Sequence, residues 1–322
     1  MKLFRRAFVP VFLLALFLPS AVLAETYPSK PVQVIVVFPP GGSNDVTARI
    51  VFRKMDEIMH QQFVIDNRGG ASGSIGAAIV AKSPADGYTV MVQSTTHVAN
   101  AYMYKGKLPY DTLGDFIGVT PLAKQVGVLA VHPSLPVKNI RQLIALAKKR
   151  PGEMNYGSAG LGSYVHLADA MFVSLTKTKI VHVPYRGGGP SAIALMSGET
   201  QMTIATIGSM ITYIRAGRVR PLGVTSKERT KQLPNVPAIG EVVPGYEFTA
   251  WVGAFVPKGT PKEVVDTLNA GLKKALADPE IVKQLTNKTL DPMYMTPGQF
   301  AKRLQSDYVK YGKLMKEVGV VK

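Results

Sequence analysis

The 322-residue sequence predicts an α/β protein of two lobes, and three observations predict it. Strand-like apolar runs alternate with helical patterns along most of the chain, as in a parallel sheet wrapped on both faces. A strand, a glycine turn and a helix start occur together twice, about one domain apart. Hydrophobic residues make up 46% of the chain, which supplies core for two lobes and excludes a disordered protein.

The first segment stands outside that fold. Lys2, Arg5 and Arg6 form a basic start, Ala7 to Leu18 an apolar core, and Val22-Leu23-Ala24 a small-residue site before Glu25. The apolar core is shorter than the ~20 residues a spanning helix needs. Residues 1–24 therefore read as a signal peptide cleaved after Ala24. The chain has no cysteine, so disulfides, thiolate catalysis and the lipid-attachment cysteine of a bacterial lipoprotein are excluded. An exported protein with neither disulfide nor lipid anchor fits the periplasm. The formal charge is +17, of which the signal segment carries three. That surplus suits an anionic ligand or an anionic membrane surface. The basic residues are scattered, and no nucleic-acid partner is expected of an exported chain.

Val34 to Phe38 is an unbroken β-branched and aromatic run, the pattern of a doubly covered strand. Pro39 and Pro40 stop it, Gly41 and Gly42 allow a tight turn, and Ser43, Asn44 and Asp45 are N-cap candidates for a helix from near Val46 to Met59. Such a junction presents backbone N–H groups at the positive end of a helix dipole, a ready anion site. Phe63–Asp66 follows as a strand, Ile75–Lys82 as a helix and Gly87–Gln93 as a strand ending in the polar loop Ser94, Thr95, Thr96, His97. Ligands of open α/β sheets sit beyond the carboxyl ends of such strands. Leu108–Gln125 reads as turn-rich and leads into the strand Val126–Val131, where the chain first crosses between lobes.

The second lobe opens with the helix Ile140–Lys149. The repeated device is the strand Asn155–Ser158, the turn Ala159–Gly162 and a helix capped by Ser163. Ile180–Pro184 is a strand opening into Tyr185, Arg186 and three glycines, and Pro190 starts a helix. Strands Thr200–Thr206 and Arg220–Thr225 flank a helix Ser209–Ala216 closed by Gly217. Phe248–Val256 is the return crossing. Lobe 1 is thus expected at 25–125 plus 248–322, and lobe 2 at 126–247. Thr260-Pro261-Lys262-Glu263 and Thr296-Pro297-Gly298-Gln299 read as capping boxes with Pro at the first helical position, and Gly319 ends the last helix.

The chemistry points to binding. There is no GxxxxGK[ST], no GxGxxG and no G-x-S-x-G elbow, so neither a nucleotide site nor a serine hydrolase is expected. His60, His97, His132, His166 and His182 show no ligand spacing, and neither metal nor cofactor is expected. Of these only His97 borders the expected cleft. Trp251 and Phe255 suit either the cleft wall or lobe packing. Arg186 suits either a distal carboxylate or solvent.

The blocks YPSKPVQVIVVFPPGGSNDVTAR, DNRGGASGSIGA, ADGYTV, LPYDTLGDF, VHPSLPVKNIRQLIALAKKRPGEMNYGSAGLGS, HLA, IVHVPYRGGGPS, IRAGRVRPLGVTS, LPNVPAIGE and WVGAFVPKGTP occur in this order. In this the chain resembles the Bug family, the TctC-like periplasmic solute-binding proteins of tripartite tricarboxylate transporters, from about Tyr27 to the last helix. The resemblance implies a type II periplasmic-binding-protein (Venus-flytrap) fold, α/β with two lobes and two crossing strands. It implies no enzyme activity. A ligand carboxylate would be held by backbone amides of two loops: Gly41, Gly42, Ser43, Asn44 and Asp45 in one, Ser158, Ala159, Gly160, Gly162 and Ser163 in the other. Ser94 to His97 match a third contact region, and Tyr185 lies beside the cleft. Amino-acid binders of the family carry an Asp where Ala205 falls here, so an ammonium would be left uncompensated. Tyr164, with Thr206 and Met210, suggests an apolar or aromatic body between carboxylates, making an aromatic dicarboxylate a candidate. The implied partners are a small carboxylate and membrane permease subunits, for a protein acting as a monomer. The alternatives are presentation of ligand to a sensor kinase, and a periplasmic enzyme on the same scaffold.

Overall fold

The computed structural model describes residues 27–185, 188–317 and 319–321. The expected signal peptide, Arg186 and Gly187 lie outside the described residues. Strand β1 (Val32–Val36) runs parallel between β2 (Phe63–Asn67) and β3 (Thr89–Ser94), and each is followed by a helix: α1 (Ser43–Met59), α2 (Ser74–Ala81) and α3 (Thr96–Met103). Val32, Val34, Ile35 and Val36 are all buried, as a strand covered on both faces requires.

β4 (Phe116–Val131) joins the two halves of the molecule. Residues 116–126 pair antiparallel with β9 (Thr249–Pro257), which also pairs with β3. Residues 127–131 pair instead with β7 (Met202–Thr206) on one side and β8 (Arg220–Val224) on the other. The parallel strands β5 (Met154–Ser158) and β6 (Ile180–Pro184) extend this second sheet beyond β7. The chain returns where Phe248 donates its N–H to the Thr225 carbonyl at 3.0 Å and enters β9. The result is a two-lobed, mixed α/β fold.

The segment Leu108–Gln125, expected to be turn-rich, is corrected here, because its second half from Phe116 is strand. Gly118 and Pro121 each sit beside a register shift against β9. A bulge absorbs the residue that cannot donate or has no side chain to pack. A β-carbon at Gly118 would lie 2.6 Å from Phe300, so this glycine also lets the last helix press onto the crossing strand.

In the second lobe, α4 (Ile140–Lys149), α5 (Tyr164–Thr176), α6 (Gly188–Ser197) and α7 (Ile207–Arg215) cover the sheet. The terminal helices α8 (Lys262–Ala277), α9 (Pro279–Asn287) and α10 (Pro297–Glu317) pack back on the first. Thr296 and Gln299 form the expected reciprocal cap of α10. The expected box at Thr260 does not form. Its hydroxyl donates to the Pro257 carbonyl at 2.8 Å instead, leaving Pro261 as the N-cap residue of α8.

Trp251 and Phe255 belong to the core. Trp251 is 1% exposed, packs edge-on against Phe300 and donates Nε1–H to the buried Asp307 carboxylate at 2.8 Å. No helix among the described residues is long and apolar enough to cross a membrane.

Candidate functional site

The first glycine turn ends in Gly41, at φ +83°, and Gly42, the N-cap residue of α1. The helix starts at Ser43, three residues before the expected start, so Ser43, Asn44 and Asp45 form its first turn and none is its N-cap. First-turn N–H groups have no intrahelical acceptor and sit at the positive end of the dipole. The Asp45 side chain, an N-cap candidate in a loop expected to hold ligand by its backbone amides, turns inward. It accepts from the Gly41 N–H at 2.9 Å, Arg49 Nε at 3.0 Å and Asn67 Nδ2 at 3.0 Å. Burial alone would raise this carboxyl, but the bonds from Arg49, Gly41 and Asn67 outweigh it and hold it below its ordinary value. Asp45 fastens the turn and takes up the Gly41 amide, and the carboxylate itself is not among the residues lining the cavity.

That turn opens into a cavity of about 510 Å³. Gly41, Ser43 and Val46 line one side. Thr206, Gly208 and Ser209, at the N-terminus of α7, line the other. Gln125 on β4 and the turn Lys288-Thr289-Leu290 complete the wall, and none of the lining residues is acidic. Two helix N-termini, one from each lobe, therefore share one space. Thr206 Oγ1 donates to Ser209 Oγ, whose hydroxyl donates back to the Thr206 carbonyl. A β-carbon at Gly208 would fall 2.3 Å from Thr289 Oγ1, so any side chain there would require Thr289 to turn aside. Of the lining residues, Gly41, Ser43 and Thr206 are among the expected site residues, whereas Gln125, Gly208, Ser209 and Lys288 are not.

The second glycine loop does not line this cavity. Ser163 caps α5 as expected, accepting from the His166 N–H. Ser158 Oγ lies 2.6 Å from His182 Nε2 and accepts from the Gly160 N–H at 3.1 Å. Gly162 N–H donates to His166 Nδ1 at 3.1 Å, and the two imidazoles stack with centroids 4.1 Å apart. Two stacked histidines thus brace the loop, and the amides of Gly160 and Gly162 are taken up inside it. Gly162 approaches Met103 of α3, where a β-carbon would come within 2.6 Å of Sδ. Tyr185 donates its N–H to the Ser158 carbonyl and its hydroxyl to Glu199, so it supports the loop from the outside. Ala159 lies within the loop.

Other expected residues lie away from the wall of this cavity. His97 is on α3, 1% exposed, with Nε2 2.9 Å from the Thr112 carbonyl and its ring among Tyr110, Phe116 and Phe255. The string Ser94-Thr95-Thr96-His97 looks like a polar loop but caps a strand and starts a helix. Thr95 is buried there, while Ser94 and Thr96 join hydroxyls at 2.8 Å. Tyr164 donates its hydroxyl to the Phe248 carbonyl at 3.0 Å and lies 3.2 Å from Thr225 Oγ1. It ties α5 to the return crossing and does not line the cavity. Ala205 is 8% exposed within a packed apolar cluster, and the next residue, Thr206, is the one at the cavity.

The buried histidines make a pH prediction. Burial, only partly offset by the Thr112 carbonyl, lowers His97 to about 4; burial and the neighbouring His182 lower His166 to about 4; burial lowers His182. The folded state then binds fewer protons than the unfolded chain between about pH 6.5 and 4. Stability from these groups is whole above that window and is lost as pH falls through it. For His97 alone the loss at pH 5 is about 2 kcal/mol. Asp169, fully buried and raised well above its ordinary value by burial, acts in the opposite sense. Calorimetric melts of the Asp169→Asn protein should show Tm falling by several degrees from pH 7.5 to 5, and a flat profile would contradict the buried assignment.

The pattern of the family described as "Tripartite tricarboxylate transporter family receptor" matches residues 47–320. A UPF0065 protein from the tcbD-tcbE intergenic region of Pseudomonas sp. (strain P51) is 41% identical over 295 residues, covering 91% of this chain and 88% of that protein. Rpa4515 of R. palustris, solved with adipate, superposes with a TM-score of 0.78 at 35% identity, covering 91% of this chain and 98% of that one. MatC (Rpa3494) from Rhodopseudomonas palustris, solved with bound malate, gives a TM-score of 0.73 at 28% identity, covering 89% and 99%.

Proposed function

The chain belongs to the tripartite tricarboxylate transporter receptors, the Bug or TctC-like solute-binding proteins, and from that premise we propose that it captures a small dicarboxylate between its lobes in the periplasm and hands it to a membrane permease of that transporter class. The observation that carries this reading is the cavity of about 510 Å³ that faces two helix N-termini and a lysine with no acidic residue in its wall. Such a space attracts carboxylates and repels nothing anionic. Adipate and malate, the ligands of the two solved relatives, are aliphatic dicarboxylates and set the class to be tried first. Tricarboxylates and aromatic dicarboxylates come next. The wall offers no carboxylate to an α-ammonium, so amino acids are disfavoured.

We assign lobe 1 to 25–125 plus 248–322 and lobe 2 to 126–247. The change of β4 partners between Val126 and Gly127 and the Phe248–Thr225 bond support that division. Capture needs no chemistry. The open form holds one carboxylate on the amides of Ser43 and Asn44. Closure about the crossing strands brings Thr206 and the α7 N-terminus against it, with the loop Ser158–Ser163 closing from the side of α3. The ligand favours the closed form because only there do both lobes touch it.

Titration calorimetry against adipate, malate, aspartate and glutamate tests this. Micromolar or tighter binding is expected for at least one of the two dicarboxylates, with the amino acids weaker by 100-fold or more. Tight binding of aspartate or glutamate would overturn the class, and turnover of recovered ligand would overturn capture without chemistry.

A further inference from the structure

The amide nitrogen of Gln125 is buried with no hydrogen-bond partner among the described residues, yet the side chain lines the cavity. A buried donor left unpaired costs about 1–3 kcal/mol, a cost that a ligand oxygen removes. The residue sits where β4 changes partners, opposite Ala250 on β9 and two positions before Gly127 meets Thr206. Its neighbours Lys124 and Val126 point to the other face of the strand, where they line a separate cavity of about 470 Å³. The alternation of the strand thus sends one polar side chain, and only that one of the three, to the ligand side.

Lys288 stands on the same wall, in the turn after α9. It is exposed and forms no ion pair among the described residues. The two helix N-termini already provide for one carboxylate. An amide donor and an ammonium beside them provide for a second anionic group, and for nothing in a ligand that lacks one.

We propose that Gln125 and Lys288 form the distal subsite that makes this protein select acids carrying a second carboxylate. This rests on the proposed capture of carboxylates in the same cavity. The two helix N-termini grip any carboxylate, and discrimination comes from the crossing strand and the α9 turn. Specificity of this kind is a difference of affinities. It appears only when an acid with the second carboxylate is compared with its truncated analogue.

The test compares adipate with hexanoate, by calorimetry, on the wild type, Lys288→Ala and Gln125→Met. The wild type should prefer adipate by 30-fold or more. Lys288→Ala, at an exposed site, should weaken adipate about 10- to 30-fold and leave hexanoate unchanged. Gln125→Met should reduce the preference at least fivefold, and circular dichroism checks that the crossing strand survives. The adipate preference of the wild type should shrink as salt rises, because the lysine is exposed to solvent. If the wild type prefers adipate and both variants keep that preference, the subsite is wrong and the capture reading stands. Equal loss of both acids in Lys288→Ala would also overturn the subsite. Should the wild type bind neither acid and no other dicarboxylate, both readings fall together.

Discussion

Thr206→Asp is expected to weaken dicarboxylate binding by about 100-fold or more while leaving Tm unchanged or raised. Thr206 is the N-cap residue of α7, but its side chain makes no bond to the helix N–H groups. Asp is among the best N-cap residues, and a formed cap is worth about 1 kcal/mol. The new carboxylate would accept from the same first-turn amides that a bound acid would use. It would also repel the acid, by about 4 kcal/mol at 4 Å in a medium of effective dielectric 20, before screening by salt. About two-thirds of that suffices for a 100-fold loss. The two readouts move in opposite directions, so a misfolded variant cannot imitate the result. Calorimetry and a thermal melt on the same sample decide it, and unchanged adipate affinity would remove α7 from the site.

How much of this was legible follows from what each signal depends on. The Val34–Phe38 run, the Gly41-Gly42 turn and the Ser163 cap are local patterns, and the structure has each within a few residues of its expected place. The ordered family blocks carried the two-lobed fold. The strand Phe116–Gln125 was hidden because Gly118 and Pro121 read as turn residues when bulges accommodate them. His97 was misread because a run of Ser and Thr looks solvated until Thr112 and three aromatic rings are known to surround it. Gln125 and Lys288 carry no motif at all. They become neighbours of Ser43 only when a crossing strand and the turn after α9 fold against the first loop, a contact that no sequence spacing encodes.

The mirrored glycine turns show the same limit from the other side. Both turns end in helix N-termini, but Ser158 and Gly162 spend their polar groups on His182 and His166. The helix that faces Ser43 across the cavity is α7, whose start lacks a glycine-rich signature. A turn motif locates an available helix end. Which end meets the ligand is decided by how the lobes are hung on β4 and β9.

Trp251 anchors the return crossing to the last helix, and Trp251→Ala is expected to cost about 3–5 kcal/mol from the cavity alone, a large share of the 5–15 kcal/mol typical of a folded protein. The indole lies on β9 opposite Lys124, is 1% exposed and packs on Phe255 and Phe300. Its Nε1–H and Arg303 Nε both donate to Asp307 Oδ2, at 2.8 and 2.9 Å. The side chain thereby pins α10 to the return crossing. Trp251→Phe keeps most of the packing and removes the donor, leaving Asp307 to Arg303, and should cost about 1–3 kcal/mol. The difference between the two variants separates packing from the hydrogen bond. Urea unfolding must be followed by far-UV circular dichroism, because this is the only tryptophan in the chain and the fluorescence disappears with it. Adipate affinity of the folded fraction should not change, since Trp251 does not line the cavity. A Trp251→Ala protein with a wild-type unfolding midpoint would mean that the return crossing is held to α10 by something other than this aromatic cluster.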